Sequence, residues 1–214
     1  MVTCLRASTF ENLQLNAGMF LANFAYSTAT DAATLGALLK TEREKESGSA
    51  LIGATRGGGT FVCTPNTRSI EADGKREEWK GSSVNDGWTI KLTTTLLEIN
   101  PANFKRAFGT ADVTDYDTKH TIKIRSDIKD ADYITSLVWV GDTSKGLVLI
   151  AIKNALNTAG ATLTWTDKGE GTIPVEFTAH QDGIETDGYE PCEIVFFDPP
   201  AGKQTAKQNN SVTA

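Results

Sequence analysis

The sequence predicts a mainly β protein, an antiparallel β-sandwich or barrel with one flanking α-helix. Three observations lead there. Most apolar runs are short, rich in β-branched residues and separated by Gly, Asn and Asp. Residues 87–98, GWTIKLTTTLLE, alternate strictly: Trp88, Ile90, Leu92, Thr94 and Leu96 point one way and Lys91, Thr93 and Thr95 the other, so one face is buried and one is wet or meets a partner. One segment carries both helix boundaries: Asn100-Pro101 opens it, Gly109 closes it, and Phe104 and Phe108 share a face suited to covering one side of the sheet.

From the N-terminus, residues 17–25 form an apolar stretch interrupted or flanked by Glu11, Asn12, Asn16 and Asn23, unlike the clean core of a secretory leader, so export by a signal peptide is not expected. Residues 31–46 can form a helix, with Leu35, Leu38 and Leu39 as a short stripe ahead of the charged run EREKE. Two readings of the insertion at about 31–50 stay open: a mobile or extended excursion between two strands, or an arm that packs on a neighbouring subunit. Strands are expected at 60–63, 68–73, 87–98, 120–125, 134–140, 147–153, 161–166, 172–180 and 192–197. Residues 1–198 are expected to form one domain, and the polar residues 199–214 a flexible tail.

The bulk numbers narrow the partners. Of 214 residues, 27 are acidic and 21 basic, a net charge of -6, which argues against a surface that clamps nucleic acid by neutralising phosphates. Cys4, Cys63 and Cys192 are odd in number and lack CxxC spacing, which indicates neither a disulfide framework nor a zinc site and suits a reducing compartment. No run approaches the roughly 18 apolar residues of a membrane span.

The stretch GATRGGGTF, residues 53–61, invites a phosphate-loop reading. Gly53, Gly58 and Thr60 fall in the Walker register, but Gly59 occupies the lysine position, the following residues have strand character, and Arg56 lies three residues too early. Gly57 and Gly59 make a G-x-G whose third glycine is replaced by Val62. The structural reading is that Gly57, Gly58 and Gly59 form a bulge or a packed junction where sheet or subunit backbones come close. His120 and His180 match no metal spacing and sit at strand ends. The carboxylate pairs Glu77/Glu78, Asp115/Asp117 and Asp130/Asp132 read as solvated turns. No nucleophile elbow or cysteine-centred motif occurs, so no catalytic, cofactor or metal site is expected.

Taken in order, LQLNAGMFLANF (13–24), IGATRGGGTF (52–61), RSIEADGKRE (68–77), TTTLLEINPANFKRAFG (93–109) and PCEIVFFDP (191–199) resemble the major tail protein, or tail tube protein, of long-tailed bacteriophages and phage-derived tail particles. The resemblance runs nearly end to end and rests on order and spacing rather than on a reactive motif. It implies a β-sandwich with one flanking helix that assembles into hexameric rings whose inner strands join in a continuous barrel, the rings stacking into the tube through which double-stranded DNA passes. It also implies a tape-measure protein, tail chaperones and a tail terminator as partners, assembly in the bacterial host cytoplasm and residence in the virion tail. Some tubes of this kind carry an extra C-terminal domain, which nothing after Pro200 is expected to form. On this reading Leu35, Leu38 and Leu39 are the expected anchors for the next ring. Two other readings remain beside it: a stand-alone carbohydrate- or protein-binding β-sandwich using Trp79, Trp88, Trp139 and Trp165, and a hydrolase using His180 with Asp182 or Asp187.

Overall fold

The structure, a computed structural model, describes residues 13–14, 16–45, 48–143, 146–183 and 188–198. Cys4, Asp187 and the tail expected at 199–214 lie outside the described residues. The chain is mainly β, with antiparallel sheets and two helices, consistent with the expected β-sandwich with a flanking helix. In chain order the elements are β1 (Met19–Ala22), α1 (Ala32–Glu44), β2 (Thr55–Ser69), β3 (Ser83–Leu96), α2 (Pro101–Phe108), β4 (Ala111–Tyr116), β5 (Lys119–Ile124), β6 (Ile134–Thr143), β7 (Gly146–Asn157), β8 (Ile173–Thr178) and β9 (Cys192–Phe197). They form two compact units: Met1–Ile52 with Ser136–Ala151 and Glu193–Ala214, and Gly53–Thr135 with Ile152–Cys192.

In the first unit β1 lies antiparallel to β6, with Met19 opposite Val140 and Ala22 opposite Leu137, and β9 pairs with β7. The continuous apolar run of β1 is a strand with both faces covered, a pattern that alternation cannot reveal. Most of the 31–50 insertion, Ala32–Glu44, is a helix packed on its own chain. Asp31 caps α1 by accepting from the Thr34 backbone N–H at 2.7 Å, and Leu35 and Leu39 enter a core with Leu21, Phe24, Val138, Val140, Leu149, Ala151 and Phe197. Its last turn is tied to the returning chain: Glu42 Oε2 accepts from the Ala50 N–H at 2.8 Å, and the Ser49 hydroxyl donates to the Glu42 carbonyl at 2.7 Å. Residues 42–44 of the charged run thus stay helical with Glu42 turned inward.

In the second unit β3 lies between β2 and β8. Ile90, Leu92 and Leu96 are buried with Ile173, Val175 and Phe177 of β8. Trp88 lies on the same side of β3 but is 39% exposed, because β8 pairs only as far as Lys91 and leaves the strand beyond it with one neighbour. The strands expected at 60–63 and 68–73 are one strand ending at Ser69. Residues 70–82 then fold on themselves: Ile70 N–H donates to Ser82 O at 2.7 Å, and the Lys75 ammonium reaches Ile70 O at 3.0 Å and Glu78 at 3.1 Å. Residues 161–166 make a single bridge, Thr164 to Thr172, because their alternation includes too few apolar residues to hold a ladder.

The α2 boundaries agree with the sequence: Asn100 accepts from the Asn103 N–H, Pro101 begins the first turn, and the Gly109 N–H closes the last turn on Lys105 O. Its buried face differs. Asn103 and Ala107 are fully buried, whereas Phe104 and Phe108 are half-buried and stack on each other at 6.1 Å. Unpaired carbonyls decide the face. The Asn103 amide donates to Glu98 O at 3.0 Å, and the Asn157 amide donates to Ala107 O at 2.6 Å, which small Ala107 leaves accessible.

The β4–β5 hairpin sets Asp115 opposite His120, their side chains 2.7 Å apart, so Asp115 belongs to a strand rather than a solvated turn. After β5, Arg125 gathers Asp112 at 3.0 Å, Asp127 at 3.6 Å and buried Asp132 at 2.7 Å. Asp132 is therefore no solvated turn residue either. Burial pushes its carboxyl up, but the Lys129 N–H and the Arg125 guanidinium outweigh that and hold it below its ordinary value. Glu42 is held low by Lys45 and the Ala50 N–H.

Two outcomes follow. Asn157→Ala leaves the Ala107 carbonyl without its donor and lowers stability by about 1–3 kcal/mol in urea denaturation. Glu42 has a depressed folded pKa, so its contribution is present above its ordinary value of 4.5 and lost as pH falls through the folded value. The urea midpoint therefore falls as pH drops from about 4.5 through the folded value, and the fall is shallower in a Glu42→Gln, Asp132→Asn double variant that starts less stable at neutral pH.

Candidate functional site

The glycine triplet lies inside β2. Thr55 stands opposite Leu96 and Gly59 opposite Thr94, so β2 advances four residues while β3 advances two. Gly57 and Gly58 absorb the excess with φ of 75° and 73°, the left-handed region that side chains disfavour. The bulge also explains Thr94, a buried hydroxyl in an otherwise apolar row: its Oγ1 donates to Gly58 O at 2.8 Å. At Gly57 a side chain would meet nothing within 4 Å, so backbone conformation, not crowding within the chain, is what calls for glycine there. The close approach occurs at Gly53, where a β-carbon would collide with the Glu98 carboxylate that accepts from the Ala54 N–H at 2.8 Å. Thr60, Phe61 and Val62 continue as strand, and Arg56 is paired with Glu170 at 2.5 Å. The glycines therefore run on into strand to Ser69, where a phosphate site of the Walker kind requires the start of a helix.

Among the described residues β2 pairs with β3 alone, so this 15-residue strand is an edge. Pro65 within it is tolerated for that reason. The register divides the faces of β2, β3 and β8. Phe61, Cys63, Ile90, Leu92, Thr94, Val175 and Phe177 share the inner one. Thr60, Val62 and Thr64, then Thr89, Lys91, Thr93 and Thr95, then Pro174, Glu176 and Thr178 share the other. Beside the bulge this hydroxyl-bearing face holds an open groove of about 480 Å³ lined by Arg56, Thr60, Thr93, Thr95 and Glu176.

The cations of these strands are all matched. Arg56 pairs with Glu170 at 2.5 Å, Arg68 with Asp86 at 2.7 Å and Lys91 with Glu176 at 2.7 Å. The Arg56 guanidinium holds the Glu170 carboxyl below the usual range. Sequence reasoning missed these carboxylates because two of the partners lie 114 and 85 residues away along the chain.

The other expected site residues are scattered. Leu35 and Leu39 are buried in their own chain's core, and Leu38, partly buried, packs beside them. Trp79 and Trp165 are 71% and 72% exposed, while the Trp139 indole donates to Ala17 O at 3.0 Å. His180 Nδ1 lies 3.1 Å from Asn154 O, and its ring meets Tyr133 edge-on at 5.3 Å. Cys63 is exposed and Cys192 partly so; burial, with Glu190 nearby, raises the Cys63 thiol above its ordinary value. Among the described residues no cluster of His, Cys, Asp and Glu is arranged to hold a metal, and no helix is long and apolar enough to cross a membrane. Comparison with protein-family models finds no match, and neither does comparison with curated proteins.

The glycines are separable by substitution. Gly57→Ala is expected to cost about 1–2 kcal/mol in chemical denaturation, and Gly57→Asn less, because asparagine tolerates the left-handed region. Gly53→Ala is expected to cost more than Gly57→Ala, since besides the strain it pushes the Glu98 carboxylate off the Ala54 N–H.

Proposed function

We propose that this chain is a structural, self-assembling subunit of a phage tail tube, without a catalytic step, forming hexameric rings that stack into the conduit for DNA. One observation carries the reading: among the described residues the 15-residue β2 has a partner on one side only, and between its bulge and Pro65 the stretch 59–64 is an uninterrupted edge. A long bare edge templates uncontrolled pairing, and proteins generally shorten, charge or cover such edges. Here Val62 is exposed between Thr60 and Thr64 on the strand, and both arginines of β2 are neutralised by carboxylates. A second copy that supplies a strand removes the edge, and the same interface repeated around an axis closes a ring.

The order of segments resembling tail tube proteins supports the same reading, as does the net charge of -6, which disfavours retention of DNA. The partners then follow: a tape-measure protein, tail chaperones and a tail terminator, with assembly in the host cytoplasm and residence in the virion tail. Exposure of Trp79 and Trp165 favours a second reading, a carbohydrate- or protein-binding module.

Negative-stain microscopy with light scattering on the purified chain decides between them. Rings or tubes are expected; a chain that stays monomeric at high concentration, with tape-measure and chaperone partners added, sinks the tube reading, and retention on polysaccharide columns supports the second. Gly58→Val, which places a β-branched residue at φ 73°, is expected to abolish assembly or to lower stability by more than about 1 kcal/mol. Normal polymerisation of that variant shows the bulge to be dispensable.

A further inference from the structure

Among the described residues two strand edges are left unguarded, and they belong to different strands. In β2 residues 59–64 carry neither charge nor proline between the bulge and Pro65. In β9, which among the described residues pairs with β7 alone, the sequence CEIVFF carries a single charge, Glu193, which accepts from the Tyr26 hydroxyl at 2.9 Å. The other edges are blunted in the ways proteins ordinarily use. β1 is four residues long, and its backbone is also bonded to the chain at 50–52, Ala22 N–H to Ala50 O at 2.7 Å and Ile52 N–H to Phe20 O at 3.0 Å. β4 and β5 carry Asp112, Asp115, Lys119 and Lys123, and β8 carries Pro174 and Glu176 beyond its short match with β7.

The two edges match in length and in face. The open stretch of β2 runs from 59 to 64, and β9 has 6 residues. Phe61 and Cys63 stand on the inner face of their sheet, yet Cys63 is exposed, because among the described residues β2 has no second neighbour. In β9, Val195 and Phe197 pack in the core of the first unit, whereas Ile194 and Phe196 on the opposite face are 49% and 74% exposed. Each edge therefore carries an apolar row that stops at water. Pairing the two would satisfy both ladders and set one row against the other, the cross-strand contact that stabilises sheets.

We propose, resting on the tube reading above, that β9 of one copy is the strand that pairs with residues 59–64 of β2 in the next copy, with Ile194 and Phe196 set beside Phe61 and Cys63. The contact is heterologous. Donor edge and acceptor edge lie on different strands, so every subunit offers both and the contact repeats until it closes on itself. A contact between two β2 edges would end at two copies and leave Ile194 and Phe196 in water.

Disulfide trapping tests the pairing. Ile194→Cys and Phe196→Cys chains, each made with and without Cys63→Ser, are oxidised after assembly and separated on a non-reducing gel. Adjacent strands bring facing Cα atoms to roughly 5 Å, within disulfide reach. At least one of the two positions is expected to give a ladder of covalent oligomers up to the hexamer, and Cys63→Ser to abolish it. Rings without such a ladder from either position, or a Cys63-dependent link confined to single chains, overturn β9 as the donor and leave the tube reading standing. Phe196→Lys places a charge on the donor edge at an exposed position, so that variant is expected to stay monomeric in light scattering with an unchanged urea midpoint. Assembly of Phe196→Lys like that of the wild type also overturns the pairing. A wild-type chain that forms no ring overturns the tube reading and this pairing together.

Discussion

The second unit depends on the two-faced register of β3. Each inward residue of the 90–96 stretch meets a partner on β2, β8 or both, and the outward Lys91, Thr93 and Thr95 stand opposite Val62, Thr60, Thr178, Glu176 and Pro174. A slip of one residue would move Ile90, Leu92 and Leu96 into solvent and drive Lys91 into the core, which makes the register steep in energy. The β2 bulge is compatible with this register because its extra residues are glycines and because Thr94 satisfies the carbonyl that the bulge exposes. A feature that looks like a defect in the ladder is thus held by a side chain from the strand it fails to match.

The remaining devices of the fold likewise tie ends to carbonyls and amides left over from regular structure. Asn103 and Asn157 fix α2 through Glu98 O and Ala107 O, and Glu42 fixes the end of α1 through the Ala50 N–H. Buried polar groups of this kind contribute modestly while satisfied and cost more when a partner is removed. They act here as fasteners at element ends, while apolar burial forms the core of each unit. The Arg125 cluster follows the same logic with charge, three aspartates converging on one guanidinium that a shorter cation could not reach in fork geometry.

Charge on the outward side is arranged differently from charge in the chain as a whole. The sequence is acidic by six, yet β2 and β3 carry their cations in matched pairs, two of them with carboxylates from distant segments. Exposed pairs of this type add little stability. Their effect is electrostatic: they flatten the local field.

Local pattern by itself determined the β class, the alternation of residues 87–98, the boundaries of α2 and the failure of GATRGGGTF as a phosphate loop. Each of these depends on neighbours in sequence: side-chain period, caps, and the absence of a lysine at one position. Tertiary structure alone decided which residues of α2 are buried, that residues 32–44 are a packed helix, that β1 is a strand, and that Asp132 is buried against Arg125. It alone also set Arg56 against Glu170 and Lys91 against Glu176. Those outcomes turn on which carbonyls lack partners and which distant carboxylates arrive beside a cation, and neither is fixed until the strands have taken their register.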